Sequence, residues 1–265
     1  MVSAVGYRTP PPDQPVHYGL PSPWLTVIFS LDDGVESASD RAALSSAPPL
    51  PIIAAGLHTR ASFVRPRAGQ AGVQLAVHPL AARALFGLSA AELSSTDYDG
   101  RQILDRTSAS TQDRLTGCRD WGDAFTVLGG HLTRSLDGRR HVDPRSEVRH
   151  AWSLLEASAG RLPVAEVAAR VGLTARHLST LFTREVGRSP KAVAQLIRFQ
   201  HAVDLIKNHV AHAGRTDLAE VAARCGYADQ SHLTHDFVER LGVPPTRWIT
   251  EEFRNLQDHG APPAA

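Results

Sequence analysis

The chain has 265 residues, of which 42% are hydrophobic and 21% are charged, which is the balance of an ordinary globular protein. This length suits two domains, and the net charge of +1 neither favours nor excludes a nucleic-acid partner, so only local charge is informative. The two cysteines, Cys118 and Cys225, form no disulfide framework or zinc-binding pattern, which argues against a disulfide-stabilised secreted domain and predicts a cytoplasmic location.

The first 143 residues are predicted to form a small mixed β/α domain that begins with a proline-rich tail. Residues 1–15 contain four prolines, so they are expected to be loose. Bounded runs of β-branched and aromatic residues predict strands. These runs lie at residues 24–31, 51–57 and 72–78, and a stretch rich in Ala, Ser and Pro predicts a loop at 37–51.

Helical patterning begins at Pro79 and ends before a predicted domain boundary. A longer helix is predicted over residues 111–136, because apolar residues recur on one helical face. That stripe could pack against the strands or form a dimer seam, and packing is favoured because an apolar stripe usually faces its own core. A polar stretch at 137–143 leads to Pro144, which suits the first turn of a helix. The boundary is therefore predicted there, with few contacts across it.

The region after the boundary, residues 144–265, contains the same module twice, 54 to 55 residues apart. The first copy, at 164–182, is VAEVAARVGLTARHLSTLF, and the second, at 218–237, is LAEVAARCGYADQSHLTHDF. Both copies are followed by similar tails, GRSP and GVPP. Because chance rarely reproduces a whole repeat, the two copies predict two structural units of one kind.

Each copy has the pattern of a helix-turn-helix. Apolar residues give the first helix one stripe that can be buried. Gly172 or Gly226 follows, where a short turn between crossed helices needs a residue that tolerates positive φ. Thr174 or Asp229 can then cap the second helix by accepting hydrogen bonds from its first N–H groups.

The second helix of each copy also has a polar face that suits the major groove of DNA. Hydroxyl, amide, imidazole and guanidinium groups can hydrogen-bond to base edges there. The candidate DNA-binding residues are Arg176, His177, Ser179 and Thr180 in the first copy, and Gln230, Ser231, His232 and His235, with Thr234 among them, in the second. An ordinary helical hairpin with a solvated face is the alternative, which two matching copies disfavour.

This repeat resembles the DNA-binding domain of AraC/XylS-type transcription regulators over residues 145–253, most specifically in the sequence CGYADQSHLTHDFVERLGVPPTRW. The resemblance implies two helix-turn-helix units, near residues 162–183 and 216–238, joined by one long helix at 191–208. The recognition helices would enter successive major grooves of duplex DNA, about 34 Å apart. The base-facing residues that the resemblance implies are Arg176, Ser179 and Thr180, then Ser231, His232 and His235.

The resemblance also implies a role for the N-terminal domain. In such regulators this domain commonly senses a small molecule or mediates dimerisation, so a small-molecule effector, a homodimer and RNA polymerase are possible partners. The predicted strands are fewer than a sugar-binding barrel requires, which argues against sugar sensing. The expected fold is α+β, with the mixed domain at 1–143 followed by an all-α domain at 144–265.

Local charge differs between the two copies. Residues 161–200 contain seven Lys or Arg and two Glu, whereas residues 201–254 contain six Lys or Arg and eight Asp or Glu. Because neutralising phosphate supplies much of the affinity for DNA, the first helix-turn-helix is expected to anchor the protein to DNA. Asp229 and Asp236, near the second recognition helix, are expected to weaken the second unit.

Other functional classes receive less support. His58, His78, His131 and His141 include no i, i+4 pair and no neighbouring Cys, so a metal site is not expected. A DNA-repair methyltransferase with this kind of domain would need a zinc-bound cysteine cluster, and Cys118 is alone in the N-terminal half. A protein-interaction adaptor with a degenerate DNA-binding domain stays the alternative. No catalytic residue or cofactor is expected, and no apolar run approaches the length of a membrane span.

Overall fold

The computed structural model describes residues 2–11, 15–93, 99–104, 106–137 and 143–257. The chain divides into two compact units, Met1–Gln200 and His201–Ala265. The first unit contains all of the described strands and the first helix-turn-helix, and the second contains the other helix-turn-helix. This composition agrees with the predicted α+β class.

Two four-stranded sheets form the N-terminal part of the first unit. The strands are β1 (Val2–Arg8), β2 (His17–Gly19), β3 (Leu25–Ser30), β4 (Val35–Ala38), β5 (Pro49–Leu50), β6 (Ile52–Ala55), β7 (Ser62–Arg65) and β8 (Ala71–Val77). Their order is β1-β8-β3-β6 in one sheet and β2-β7-β4-β5 in the other. Neighbouring strands pair antiparallel in both sheets.

The sheet that contains β3 separates two apolar clusters. Side chains alternate along a strand, and Phe29 of β3 lies opposite Ile52 on β6 and Val73 on β8, so these three belong to one face. That face is part of the main core. The opposite face contributes to a smaller cluster, which consists of Val35, Ile53 and Ala55, with Ile28, Leu50 and Val64 packed against them.

The expectation of a loose tail is wrong for residues 2–8, which form β1. This strand pairs with β8 over its full length. A Cβ atom added at Gly6 would lie 2.6 Å from Cε3 of Trp121, so a side chain from a distant part of the chain covers β1 closely. These partners are remote in sequence, which is why the proline count alone pointed to a tail. Residues 12–14 of the predicted tail lie outside the described residues.

The three predicted strands are confirmed as β3, β6 and β8. The expectation of few strands is wrong, because five further strands complete the sheets. Four of these, β2, β4, β5 and β7, are only two to four residues long, and runs so short leave no clear pattern in the sequence. The predicted loop at 37–51 contains β5 and a 3-10 helix, Ala43–Ser46.

The helices of the first unit follow the sheets. They are α1 (Ala82–Phe86), α2 (Gly100–Ile103), α3 (Arg106–Thr116), α4 (Trp121–Asp137), α5 (Ser146–Ala157), α6 (Val164–Arg170) and α7 (Ala175–Val186), with 3-10 turns at Pro79–Ala81 and Ala90–Glu92. The single helix predicted over 111–136 is therefore two helices. The break begins at Gly117, a poor helix former, and the carboxylate of Asp120 accepts a hydrogen bond from the N–H of Asp123 at 2.9 Å, at the start of α4.

The core of the first unit continues from the sheets into the first helix-turn-helix. Leu75 of β8 and Trp152 of α5 belong to the same buried cluster. The ring of His78, just after β8, lies 4.9 Å from the ring of Trp152 between centroids. Arg83 of α1 forms a salt bridge with Glu185 of α7. The compact unit thus extends through the predicted boundary at residue 144, and the expectation of few contacts across it is wrong.

The second unit is helical over its described residues. A long helix, α8 (Pro190–Ala213), begins in the first unit and continues into the second, which also contains α9 (Leu218–Cys225), α10 (Gln230–Leu241) and α11 (Pro245–Gln257). The predicted connecting helix at 191–208 is part of α8. Phe237 of α10 and Trp248 of α11 are fully buried, with ring centroids 5.6 Å apart. No helix among the described residues is long and apolar enough to cross a membrane.

Candidate nucleic-acid interface

The first helix-turn-helix consists of α6, a short turn and α7. Gly172 occupies the turn with φ of +71°, in the left-handed region that the sequence pattern requires there. The hydroxyl of Thr174 accepts a hydrogen bond from the N–H of His177 at 3.2 Å, so the predicted cap of α7 is confirmed. Capping ends the turn at a defined residue and thereby fixes which side chains of α7 face outward.

α7 buries one side and exposes the other. Leu178, Leu181 and Phe182 are buried in the core of the first unit. Arg176, His177 and Thr180 are exposed, and Ser179 is half-buried. The four residues that the sequence assigned to DNA binding are therefore brought together on the first two turns of one helix.

The second helix-turn-helix repeats this construction in α9 and α10. Gly226 has φ of +75°, and the carboxylate of Asp217 caps α9 by accepting hydrogen bonds from two of its first N–H groups. The carboxylate of Asp229 accepts a hydrogen bond from the N–H of His232 at 2.8 Å, which confirms the predicted cap of α10. Gln230, Ser231 and His235 are exposed on this helix.

His232 is exposed as predicted, but its ring is held at the start of α10. Its Nδ1 accepts a hydrogen bond from the N–H of Ala228 at 3.3 Å. Its ring also contacts that of Tyr227 edge-on, with centroids 5.2 Å apart. Since Nδ1 is the acceptor, the neutral ring carries its proton on Nε2, and Nε2–H is the group left for a ligand.

Two carboxylates of the second unit have partners within the unit. The carboxylate of Asp236 accepts hydrogen bonds from the hydroxyl of Tyr227 at 2.7 Å and from Nε of Arg240 at 2.8 Å. Arg240 is only 7% exposed, so Asp236 balances a buried cation. Asp229 is used as the cap of α10. Both acids therefore have structural roles, which the sequence-based charge count did not distinguish from acidic surface.

The exposed side of α10 forms an open hollow of about 590 Å³, lined by Gln230, Ser231, Thr234, His235 and Val238. Four of these residues were expected on the polar face. Val238 was not, because it lies one residue beyond the second copy at 218–237. The signal that identifies it is its position seven residues after Ser231, which places both on one side of a helix.

The structure describes three of the four histidines at which no metal site was expected. His58 and His131 are buried, and His78 caps a 3-10 turn by accepting a hydrogen bond from the N–H of Leu80. His141 lies outside the described residues. Among the residues that the structure describes, no group of three or more His, Cys, Asp or Glu is arranged to hold a metal ion.

Comparison with known sequences relates the same region to transcription regulators. A family model described as a helix-turn-helix domain matches residues 167–251. The HTH-type transcriptional regulator Rv1931c of Mycobacterium tuberculosis is 27% identical over 128 residues, which cover 48% of this chain and 44% of that protein. A Rhodococcus erythropolis protein described as "Probable thc operon regulatory protein" is 35% identical over 110 residues, covering 40% and 32%. The matched stretch spans less than half the length of these relatives.

Solved structures extend the likeness to the whole fold. ToxT from Vibrio cholerae has a TM-score of 0.53 and 15% identity, covering 94% of this chain and 98% of that chain. ToxT with an unsaturated fatty acid bound has a TM-score of 0.51 and 12% identity, covering 94% and 95%. The two capped helix-turn-helix units lie in the region that matches the family model and the two regulators, and ToxT shares the fold.

Proposed function

We propose that this protein is a sequence-specific transcription regulator that binds duplex DNA, with α7 and α10 as recognition helices in successive major grooves. The observation that supports this most is the pair of capped helices, each with a buried apolar side and an exposed polar side. A helix of this kind fits the width of the major groove and presents its polar side chains to base edges. The N-terminal domain is proposed to regulate this activity.

The exposed side chains suit different bases. The guanidinium of Arg176 can donate two hydrogen bonds to O6 and N7 of guanine, and the amide of Gln230 can pair with N6 and N7 of adenine. His232 offers Nε2–H as a donor, because its Nδ1 accepts from Ala228, and this favours an acceptor such as a purine N7. Such an assortment of donors and acceptors supports sequence-specific readout.

The first helix-turn-helix, α6 and α7, is proposed to supply more of the affinity for DNA than the second. It has the larger local excess of basic residues, and phosphate neutralisation is a large part of DNA affinity. Two acids of the second helix-turn-helix lower its net charge less than a simple count suggests, because Asp236 is paired with Arg240 and Asp229 caps α10. The difference in charge between the two helix-turn-helix units is therefore smaller than the count indicates. Because it still has fewer basic residues than acidic ones, the second helix-turn-helix is proposed to contribute mainly sequence specificity.

The N-terminal sheets leave the polar side of α7 accessible. Other N-terminal residues contact the first helix-turn-helix near the end of α7: Nε of Arg188 donates to the carbonyl of Leu57 at 2.9 Å, and Glu185 pairs with Arg83 of α1. Arg176 and Thr180, near the start of α7, remain exposed. This arrangement supports regulation through the position of α7 rather than through covering its DNA-binding face.

A small-molecule effector is part of the proposal, because ToxT, which shares the fold, has a structure with an unsaturated fatty acid bound. The first unit contains a hollow of about 190 Å³, lined by Leu57, Ala90, Ala91, Leu93, Val186, Gly187 and Arg188. An acidic molecule there would meet the guanidinium of Arg188, two residues after α7 ends. Thermal unfolding with octanoate and with oleate, for the wild type and Arg188→Gln, tests whether a carboxylate stabilises the protein through this residue.

Selection of DNA from a random duplex library tests the central proposal. The full chain should enrich one sequence family, and Arg176→Ala combined with Thr180→Ala should bind the enriched DNA more weakly. Arg134→Ala is the matched control, because Arg134 is an exposed arginine on α4. Failure of the folded wild type to enrich any sequence would contradict the proposal and favour a protein-interaction adaptor.

A further inference from the structure

Val238 is an exposed apolar residue on the proposed recognition helix α10. Its side chain is 44% exposed, whereas its neighbours in the core, Phe237 and Leu241, are 0% and 3% exposed. A β-branched residue at an exposed helical position has lower helix propensity than Lys or Glu would have there. Packing within the unit and helix stability therefore give no account of a valine at this position.

The position of Val238 on the helix places it with the polar side chains that line the hollow. It follows Ser231 by seven residues and His235 by three, spacings that bring side chains onto one side of an α-helix. Seven residues correspond to about 10 Å along the axis. The hollow is lined by all three, so an object lying along α10 that contacts Ser231 and His235 also reaches the methyl groups of Val238.

We propose that Val238 recognises thymine by packing its methyl groups against the C5-methyl group of one thymine in the major groove. This inference rests on the proposed DNA-binding function. Thymine is the base that presents a methyl group on that edge of DNA, and apolar side chains are the groups that read it. Val238 then reads the methyl group of thymine, a feature separate from the hydrogen-bonding groups that Ser231 and His235 can contact.

The repeat offers an internal comparison. Phe182 corresponds to Phe237, so Thr183 corresponds to Val238, and Thr183 is exposed on α7. Threonine carries one methyl group and a hydroxyl, whereas valine carries two methyl groups. The two units therefore present different chemistry at equivalent positions, and the purely apolar contact belongs to the second unit.

The test uses the full chain and the duplex that it enriches from a random library. Each thymine of that duplex is replaced in turn by deoxyuridine, which removes the C5-methyl group and keeps base pairing. One replacement should weaken wild-type binding about fourfold, the effect of losing one buried methyl-sized group. Val238→Ala should weaken binding to the unmodified duplex by a similar factor and should be insensitive to that replacement.

Controls separate this contact from other causes. Val5→Ala changes an exposed valine of β1, which is 61% exposed, and should keep wild-type affinity and wild-type sensitivity to deoxyuridine. Thermal unfolding should show that Val238→Ala remains folded. Thr183→Ala should leave the sensitive thymine unchanged, because that thymine is assigned to the second unit.

Three results would overturn the inference while leaving the DNA-binding function standing. These are an enriched duplex in which no thymine replacement affects the wild type, a Val238→Ala protein that keeps the full sensitivity to the replacement, and a loss of affinity in Val238→Ala that is equal on every duplex. The last result would indicate contact with the DNA backbone. A wild type that enriches no duplex would instead contradict the proposed function itself.

Discussion

Nε of Arg83 in α1 donates a hydrogen bond to Oε2 of Glu185 in α7 at 3.0 Å, which joins the N-terminal part of the first unit to the last turn of the first recognition helix. The Glu185 side chain is only 10% exposed. Its other basic neighbour, Arg184, is farther away, with Nε 3.6 Å from the carboxylate. The Arg83 contact is therefore the principal hydrogen bond of a nearly buried charge.

Arg83→Ala is expected to lower the free energy of unfolding by about 1–3 kcal/mol, because a nearly buried carboxylate would lose its short hydrogen bond. Chemical denaturation followed by circular dichroism measures this change. Arg224→Ala is the matched control, since Arg224 pairs with Glu220 where the two side chains are 56% and 53% exposed; its loss should stay within about 0.5 kcal/mol. Equal losses in the two variants would contradict a special role for the Arg83–Glu185 pair.

Asp236→Ala is expected to destabilise the second unit by about 3 kcal/mol, because the nearly buried guanidinium of Arg240 would lose its charged partner. Tyr227→Phe removes the other hydrogen bond to Asp236 and should cost about 1 kcal/mol. Thermal and chemical unfolding of the variants checks both values. Glu239→Ala, at the next exposed acid of α10, should change stability by less than about 0.5 kcal/mol. Wild-type stability in Asp236→Ala would mean that this acid is only a surface charge, as the count of local charges assumed.

The helix-turn-helix units were predictable because their determinants are local. Gly172 and Gly226 take the positive φ that the turns require. Thr174 and Asp229 make the expected caps, each accepting a hydrogen bond from the N–H three residues later in the chain. Such features depend on residues close together in the chain, and they recur because the module recurs. The candidate site was predictable to the same extent, since it is the outward side of the capped helices.

Features that depend on distant partners were not predictable in this way. β1 is a strand because β8, some seventy residues later, supplies its hydrogen bonds. Likewise, a local charge count could not reveal that Asp236 accepts hydrogen bonds from Tyr227 and Arg240, or that Nδ1 of His232 is already used by Ala228. The spacing of apolar residues along the sequence identifies which side of a helix or strand is buried. It does not identify the residue that each side chain contacts.

Acidification is expected to destabilise the first unit through His78. Burial lowers the pKa of this imidazole from 6.5 to about 4. The unfolded chain would bind a proton at His78 below about pH 6.5 while the folded protein would not, so the free energy of unfolding should fall as pH falls from about 6.5 towards 4. Denaturation at several pH values measures this slope.

His78→Asn should reduce that pH dependence while keeping a side chain that can cap the following 3-10 turn. Some slope should remain, because burial lowers the pKa of His58 as well. His150→Asn, at an exposed position on α5, should keep the wild-type slope. If His78→Asn and the wild type have the same slope, the destabilisation in acid comes from other groups.

Arg176→Ala is expected to weaken DNA binding by about 1–3 kcal/mol and to relax preference at one base pair, because a bidentate contact to guanine has this value. The residue is exposed on the second position of α7, one residue after the helix begins. Titration on a set of duplexes, each with one base pair changed, measures both effects. A loss that is uniform across the set, with a reduced dependence on salt, would instead assign Arg176 to a phosphate.

A fragment of residues 145–265 tests whether the helical region is stable without the sheets. It retains the packing of α5 against α6 and α7, so we expect one cooperative thermal transition and specific DNA binding. The melting temperature should be lower than that of the full chain, because the fragment lacks His78, which covers Trp152, and Arg83, which pairs with Glu185. Fluorescence of Trp152 should shift to longer wavelength as the ring becomes exposed, and Trp152→Phe should remove that shift. A fragment without a cooperative transition would mean that the sheets are needed for this region to fold.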